Sequence, residues 1–184
     1  MALVSALLLT MVLGSVLAGS AMVAAVERQT AAAHVISSGL RHVAQGGVVL
    51  AAGELQRRDW ALVLAGAGSD QWRGPLFGAV DVPSLTAALQ RETMMAGAHA
   101  ADTPVWRLFT QAAWRDVAGH PARGDLIVWV ADDWEERDGD PARDSNGLVL
   151  VRAAAVDGAA RSWTEALCRR EPDGRVRTRQ ARAW

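Results

Sequence analysis

The apolar positions of this chain follow three successive patterns. From Met1 to Val26 they are nearly continuous: 20 of 26 residues are apolar, none is charged, and only Ser5, Thr10, Gly14, Ser15, Gly19 and Ser20 interrupt the run. As a helix rising ~1.5 Å per residue this segment reaches roughly 39 Å, enough to cross a bilayer core of ~30 Å. A cleavable signal peptide would need a basic start and a shorter apolar stretch, and neither is present, although Ala18 to Ala25 mimics a cleavage site. Buried helices of soluble domains seldom run this far without a charge.

From Glu27 to Trp60 there is no Pro, and Val35, Leu40, Val43, Leu50 and Leu55 fall close to one helical stripe, with Arg28, Arg41, Glu54 and Arg57 elsewhere. The pattern predicts one long helix, membrane-embedded in its first half and amphipathic in its second, with Gly46-Gly47 as the weak point where it is free to bend. Gly66 to Pro75 reads as a loop. A short helix is expected from Pro83-Ser84 to about Met95, with Ser84 as N-cap and Leu85, Leu89 and Met95 as its contacts.

From Thr103 the period becomes two. Trp106, Leu108, Ala112 and Trp114 alternate with Arg107 and Gln111, and His120-Pro121 to Asp125 reads as a turn. Leu126 to Val130 reads as a buried strand and Leu148 to Val156 as another. Asp157-Gly158 is a two-residue hairpin signal into Ser162 to Arg170, and Pro172-Asp173-Gly174 turns the chain into Arg175 to Trp184. Arg175, Arg177 and Arg179 on one face of that last run suit an exposed strand guarded against edge-to-edge pairing. The expected fold is α+β: a long N-terminal helix packed on a four- to five-stranded antiparallel sheet. It divides into a hydrophobic transmembrane or filament-core helix (1–26), its amphipathic continuation (27–60) and an α+β head (61–184).

The apolar run, the uncharged stretch opened by Met1-Ala2-Leu3-Val4, Gly14 within it and Glu27-Arg28 at its close make the N-terminal quarter resemble type IV pilins and pseudopilins. The long helix, short helix, strands and the Asp-rich loop from Asp138-Gly139-Asp140-Pro141 to Asn146-Gly147 resemble PilX-type minor pilins in particular. Mature members of that family begin with Phe or Met after loss of a short leader, so Met1 is either the mature first residue or a misplaced gene start. The resemblance implies a subunit stored in the bacterial inner membrane as a single-pass protein with an extracytoplasmic head, then assembled into a filament. Its implied partners are other pilin subunits, the assembly platform and the inner membrane. Met1, Ser5 and Gly14 are the implied assembly positions. Ser5 departs from the family, where most members carry a Glu that neutralises a neighbour's terminal amine; that departure is typical of minor subunits, some of which sit at the filament tip. In a filament the apolar helices would bundle, with Gly14 and Gly19 allowing close approach.

Composition and charge sharpen this picture in three places. The 184 residues are 51% hydrophobic and 21% charged with net charge −1, but without residues 1–26 the figures become roughly 47% and 25%, ordinary for a soluble domain. All 19 basic residues are Arg, which excludes a phosphate-binding loop lysine and a Schiff-base lysine, and a single Cys168 excludes an intramolecular disulfide. Asp132 to Asn146 holds seven carboxylates and two Arg, while Arg161 to Trp184 holds seven Arg against three acids. The basic end has an ordinary reading as a solvated face, and no firm evidence for nucleic acid follows from it. The two patches could also pair between subunits.

The acidic loop has two readings. One is a solvated loop. The other is a calcium site with Asp133, Asp138, Asp140, Asp144 and Asn146 as candidate ligands, because short acidic side chains at alternate positions of a Gly-containing loop can converge on one ion. Its spacing is not that of an EF-hand. No cofactor besides calcium is implied. Paired carboxylates at Asp132, Asp133, Glu135 and Glu136 would suit a glycosidase only weakly, the four His lack metal-ligand spacing, and no nucleophile or dinucleotide motif occurs, so an enzyme is not expected. The alternative function is a single-span, membrane-anchored module for calcium-dependent binding or adhesion.

Overall fold

A computed structural model describes residues 2–69, 73–96, 103–119, 124–136 and 138–183. The order of elements is α1 (Ala2–Leu55), α2 (Trp60–Leu64), α3 (Val82–Ala96), β1 (Arg107–Ala113), α4 (Trp114–Ala118), β2 (Asp125–Asp132), β3 (Leu148–Asp157), β4 (Ala160–Arg170) and β5 (Val176–Ala183). The chain forms two compact units, Met1–Ser38 and Gly39–Trp184, and α1 contributes to both. The fold is α+β, with a long N-terminal apolar helix packed on an antiparallel sheet, as the sequence pattern predicts.

In the first unit the large apolar side chains of α1 are exposed, from 41% at Ile36 to 82% at Leu3. The hydroxyls of Thr10, Ser15, Ser20 and Thr30 each donate to a carbonyl three or four residues earlier, at 2.8–2.9 Å. These bonds satisfy every one of those hydroxyls within the helix, which is what an apolar surrounding requires. By length and composition α1 is able to cross a membrane.

In the second unit the sheet runs in the order β1-β2-β3-β4-β5, each strand antiparallel to the next. Such consecutive pairing needs only short connections, and Asp157↔Ala160 closes one of them around Gly158 at φ +59. Both faces of the sheet are covered. Leu126, Val128 and Val130 of β2 pack in one cluster with Leu40, Val43, Ala44, Val48, Ala51 and Leu55 of α1. Ile127, Trp129 and Ala131 pack in the other with Val82, Leu85 and Leu89 of α3. This two-sided cover explains why β2 is buried at every position, since the period-two alternation sends successive side chains into different cores.

Several expectations shift. α1 continues through Gly46-Gly47 without a break; those residues admit close neighbours instead, for a Cβ on Gly47 would stand 2.5 Å from Leu126 Cδ1 and one on Gly46 2.7 Å from Trp114 Cη2. α1 ends at Leu55, five residues before Trp60. Its last carbonyl accepts from a side chain, Trp60 Nε1 donating to Leu55 O at 2.9 Å, and just beyond the helix Arg170 donates to Arg58 O at 2.9 Å while lying 4.2 Å over the Trp60 ring. Of the apolar stripe, Val35 is exposed, whereas Glu54, read as outward, is buried beside Arg58 at 3.5 Å. The cap of α3 is Asp81, whose carboxylate accepts from Ser84 N at 3.1 Å; Ser84 lies inside the helix and Met95 is exposed. Trp114 opens α4 rather than continuing β1, where a bulge between Leu108 and Thr110 turns Phe109 inward. His120, Pro121 and His99 lie outside the described residues.

Candidate functional site

β2 ends at Asp132 and β3 begins at Leu148, so residues 133–147 form the acidic connection at one end of the sheet. Side chains in this loop mostly accept from its own backbone. Asp133 N donates to Asp132 Oδ1 at 3.0 Å, and Glu135 N donates to Asp133 Oδ1 at 2.6 Å. Glu136 Oε1 accepts from Ser145 N, Ser145 Oγ and Asn146 N at 2.5, 2.8 and 2.7 Å. Asp144 Oδ1 accepts from Gly147 N and Leu148 N at 2.7 and 3.2 Å. Charge-assisted bonds to backbone N–H groups are the strong kind, and they draw the two ends of the loop together.

The result is a compact carboxylate cluster. One oxygen each from Asp132, Glu136 and Asp144 lies within 4.8 Å of the other two. Asp132 and Glu136 are buried and Asp144 is half-buried. Glu136 Oε2 is buried without a hydrogen-bond partner. Burial, and then the neighbouring Glu136, push the Asp132 carboxyl up from 3.8 to about 8. Burial is also the chief reason that the Asp144 carboxyl is raised, against the opposing bond from Gly147 N.

Of the five candidate ligands read from the sequence, the structure brings Asp144 into this cluster. Asp133 is buried beside it, its Oδ2 accepting from Asn146 Nδ2 at 2.7 Å. Asp138 and Asp140 are exposed and stay outside, each spending one oxygen on a turn: Asp140 N donates to Asp138 Oδ1 and Ala142 N to Asp140 Oδ1, at 3.0 and 3.1 Å. Asp132 and Glu136 take the positions that alternate spacing within the loop assigned to them. The signal for Asp132 was present in the strand pattern, because Leu126, Val128, Val130 and Asp132 alternate onto one face. Glu136 had no such signal, since its donors are nine and ten residues away.

Of the positions that the resemblance implies for assembly, Ser5 and Gly14 lie on the exposed helix of the first unit, and a Cβ on Gly14 would meet nothing within 4 Å. Met1 lies outside the described residues. Elsewhere, Cys168 is buried, which pushes its thiol up to about 11 and leaves it protonated at neutral pH. A cavity of about 910 Å³ beside α3 is lined by groups such as Val82, Thr86, Gln90, Trp106 and Leu108, none of them titratable near neutral pH.

Comparison of the chain with protein-family models, with curated proteins and with solved structures gives no match.

Proposed function

We propose that this chain is a minor pilin-like structural subunit of a type IV pilus or related filament, held in the bacterial inner membrane by its N-terminal helix and assembled through that same helix. The observation that carries this reading is the division of labour along α1. Leu3, Leu8, Leu17 and Val26 present bare apolar side chains, while Leu40, Val43, Val48 and Leu55 of the same helix belong to the core of an α+β unit. An exposed apolar surface of this size needs cover, which lipid supplies in storage and neighbouring helices supply in a filament. Internally bonded hydroxyls and the open Gly14 suit both surroundings. Ser5, in place of the acid of most pilins, favours a priming or tip-proximal subunit.

The test is made in the bacterium that produces the chain. Sheared surface filaments and inner membranes are probed for it, and filaments are counted after its gene is deleted. The chain is expected in both fractions at low copy, with fewer filaments in the deletion strain. Presence in the membrane alone, with filament number unchanged, overturns the reading. A second reading, a membrane-anchored binding module, is favoured in that event by the carboxylate cluster at the end of the sheet.

A further inference from the structure

We propose that Asp132, Glu136 and Asp144 form a binding site for a calcium-sized divalent cation, which fastens the β2–β3 loop to the end of the sheet. This inference does not rest on the pilin reading and holds for either function.

Three observations carry it. First, the oxygens converge from different parts of the chain: Asp132 from the end of a strand, Glu136 from the outgoing loop and Asp144 from the returning loop, all within 4.8 Å of one another. A set of three protein carboxylates suits calcium, which takes six to eight oxygens in flexible geometry, whereas magnesium keeps several of its waters and takes one or two carboxylates. Second, Glu136 is 4% exposed and its Oε2 has no hydrogen-bond partner, although its Oε1 accepts three. A buried carboxylate oxygen without a donor is costly unless a cation meets it. Third, none of the ion pairs among the described residues reaches any of the three carboxylates, so no side-chain cation there balances them. All-carboxylate ligation selects a hard cation over zinc or copper.

The competing occupant is a proton shared between Asp132 and Glu136, which would give Glu136 Oε2 a partner without any metal. The two differ in what they predict. A shared proton involves neither Asp144 nor added salt; a cation needs all three carboxylates.

The full-length chain, purified in a non-ionic detergent and freed of metal with chelator, is melted with and without millimolar calcium. At a calcium concentration about a hundredfold over the dissociation constant, linkage predicts a rise in melting temperature of about 5 °C. Asp144→Asn and Glu136→Gln should each lose most of that rise, while the double variant Asp138→Asn/Asp140→Asn keeps it. Both single variants remove charge from a repelling cluster, and Gln at 136 retains an oxygen for the three donors, so the metal-free fold should survive. Terbium luminescence sensitised by Trp134 in the same loop, and its displacement by one equivalent of calcium, is a second readout that needs no variant. No thermal rise and no displacement, or a rise that survives in both single variants and disappears in the double one, overturns the site. An equal rise with magnesium overturns the assignment to a calcium-sized ion.

Discussion

Residues 3–38 of α1 are almost wholly exposed, whereas residues 39–55 of the same helix bury one face. Both stretches are rich in Ala, Val, Leu and Gly, yet Val35 is 71% exposed and Leu40, little more than a turn later, is 4% exposed. Nothing in the local sequence changes enough to account for that step. What changes is cover: from Gly39 onward the sheet residues Leu126, Val128, Val130, Val149, Val151 and Ala153 face the helix. Burial of apolar area is the favourable term, so the second stretch stabilises its own domain, while the first buries little apolar area within its own unit. The glycines repeat the lesson. Gly14 and Gly19 open onto empty space, and Gly46 and Gly47 lie against Trp114 and Leu126.

Substitutions can break this contrast. The largest difference is expected between two leucines: Leu55→Ala should cost about 3 kcal/mol in denaturant unfolding of the full chain, because Leu55 is fully buried, whereas Leu13→Ala should leave the midpoint unmoved. Next comes a charge placed in the exposed stretch. Val12→Arg should penalise membrane insertion by about 2.5 kcal/mol, read as release from the membrane fraction, with the unfolding midpoint unchanged. Equal effects of the leucine substitutions would erase the distinction between the two stretches. For the glycines, Gly47→Ala forces its Cβ against Leu126 and Ala153, at 2.5 and 3.1 Å; about 2 kcal/mol of strain outweighs about 1 kcal/mol of helix propensity and leaves a net loss. Gly14→Ala meets nothing and should not destabilise the fold.

The last contrast concerns the acidic loop. The Asp132 carboxyl is raised in the fold from 3.8 to about 8, so between those values the folded chain holds a proton that the unfolded chain releases. Stability of the metal-free protein therefore falls as pH rises across that window, and the raised Asp144 and Glu165 act in the same direction. In chelator the melting temperature should be lower near the top of the window than near its bottom. Asp132→Asn should flatten that slope, and a slope that it leaves unchanged would place the titration elsewhere.

Much of the architecture was legible along the chain. The period-two run from Thr103 marked β1, the apolar runs at 126–130 and 148–156 marked β2 and β3, Asp157-Gly158 marked the hairpin into β4, and the uncharged 1–26 run marked a helix without a soluble core of its own. The second layer was less legible: α3 was readable as a helix, but its place on the far face of the sheet follows from Ile127, Trp129 and Ala131, whose alternation says only that β2 has two apolar faces. Glu54 looked like a surface acid because its partners, Arg58 and Ser69, lie beyond the helix end.

The candidate site separates the two kinds of information most clearly. Composition alone determined that residues 132–146 carry a dense negative charge. Which acids meet was decided by tertiary structure, because backbone N–H groups of residues 145–148 recruit Glu136 and Asp144 while the local turns at 138–142 occupy Asp138 and Asp140. Periodicity is a local property that a sequence displays directly. Convergence of side chains depends on where a loop returns, and that is settled only when β3 pairs with β2 and brings the loop's two ends together.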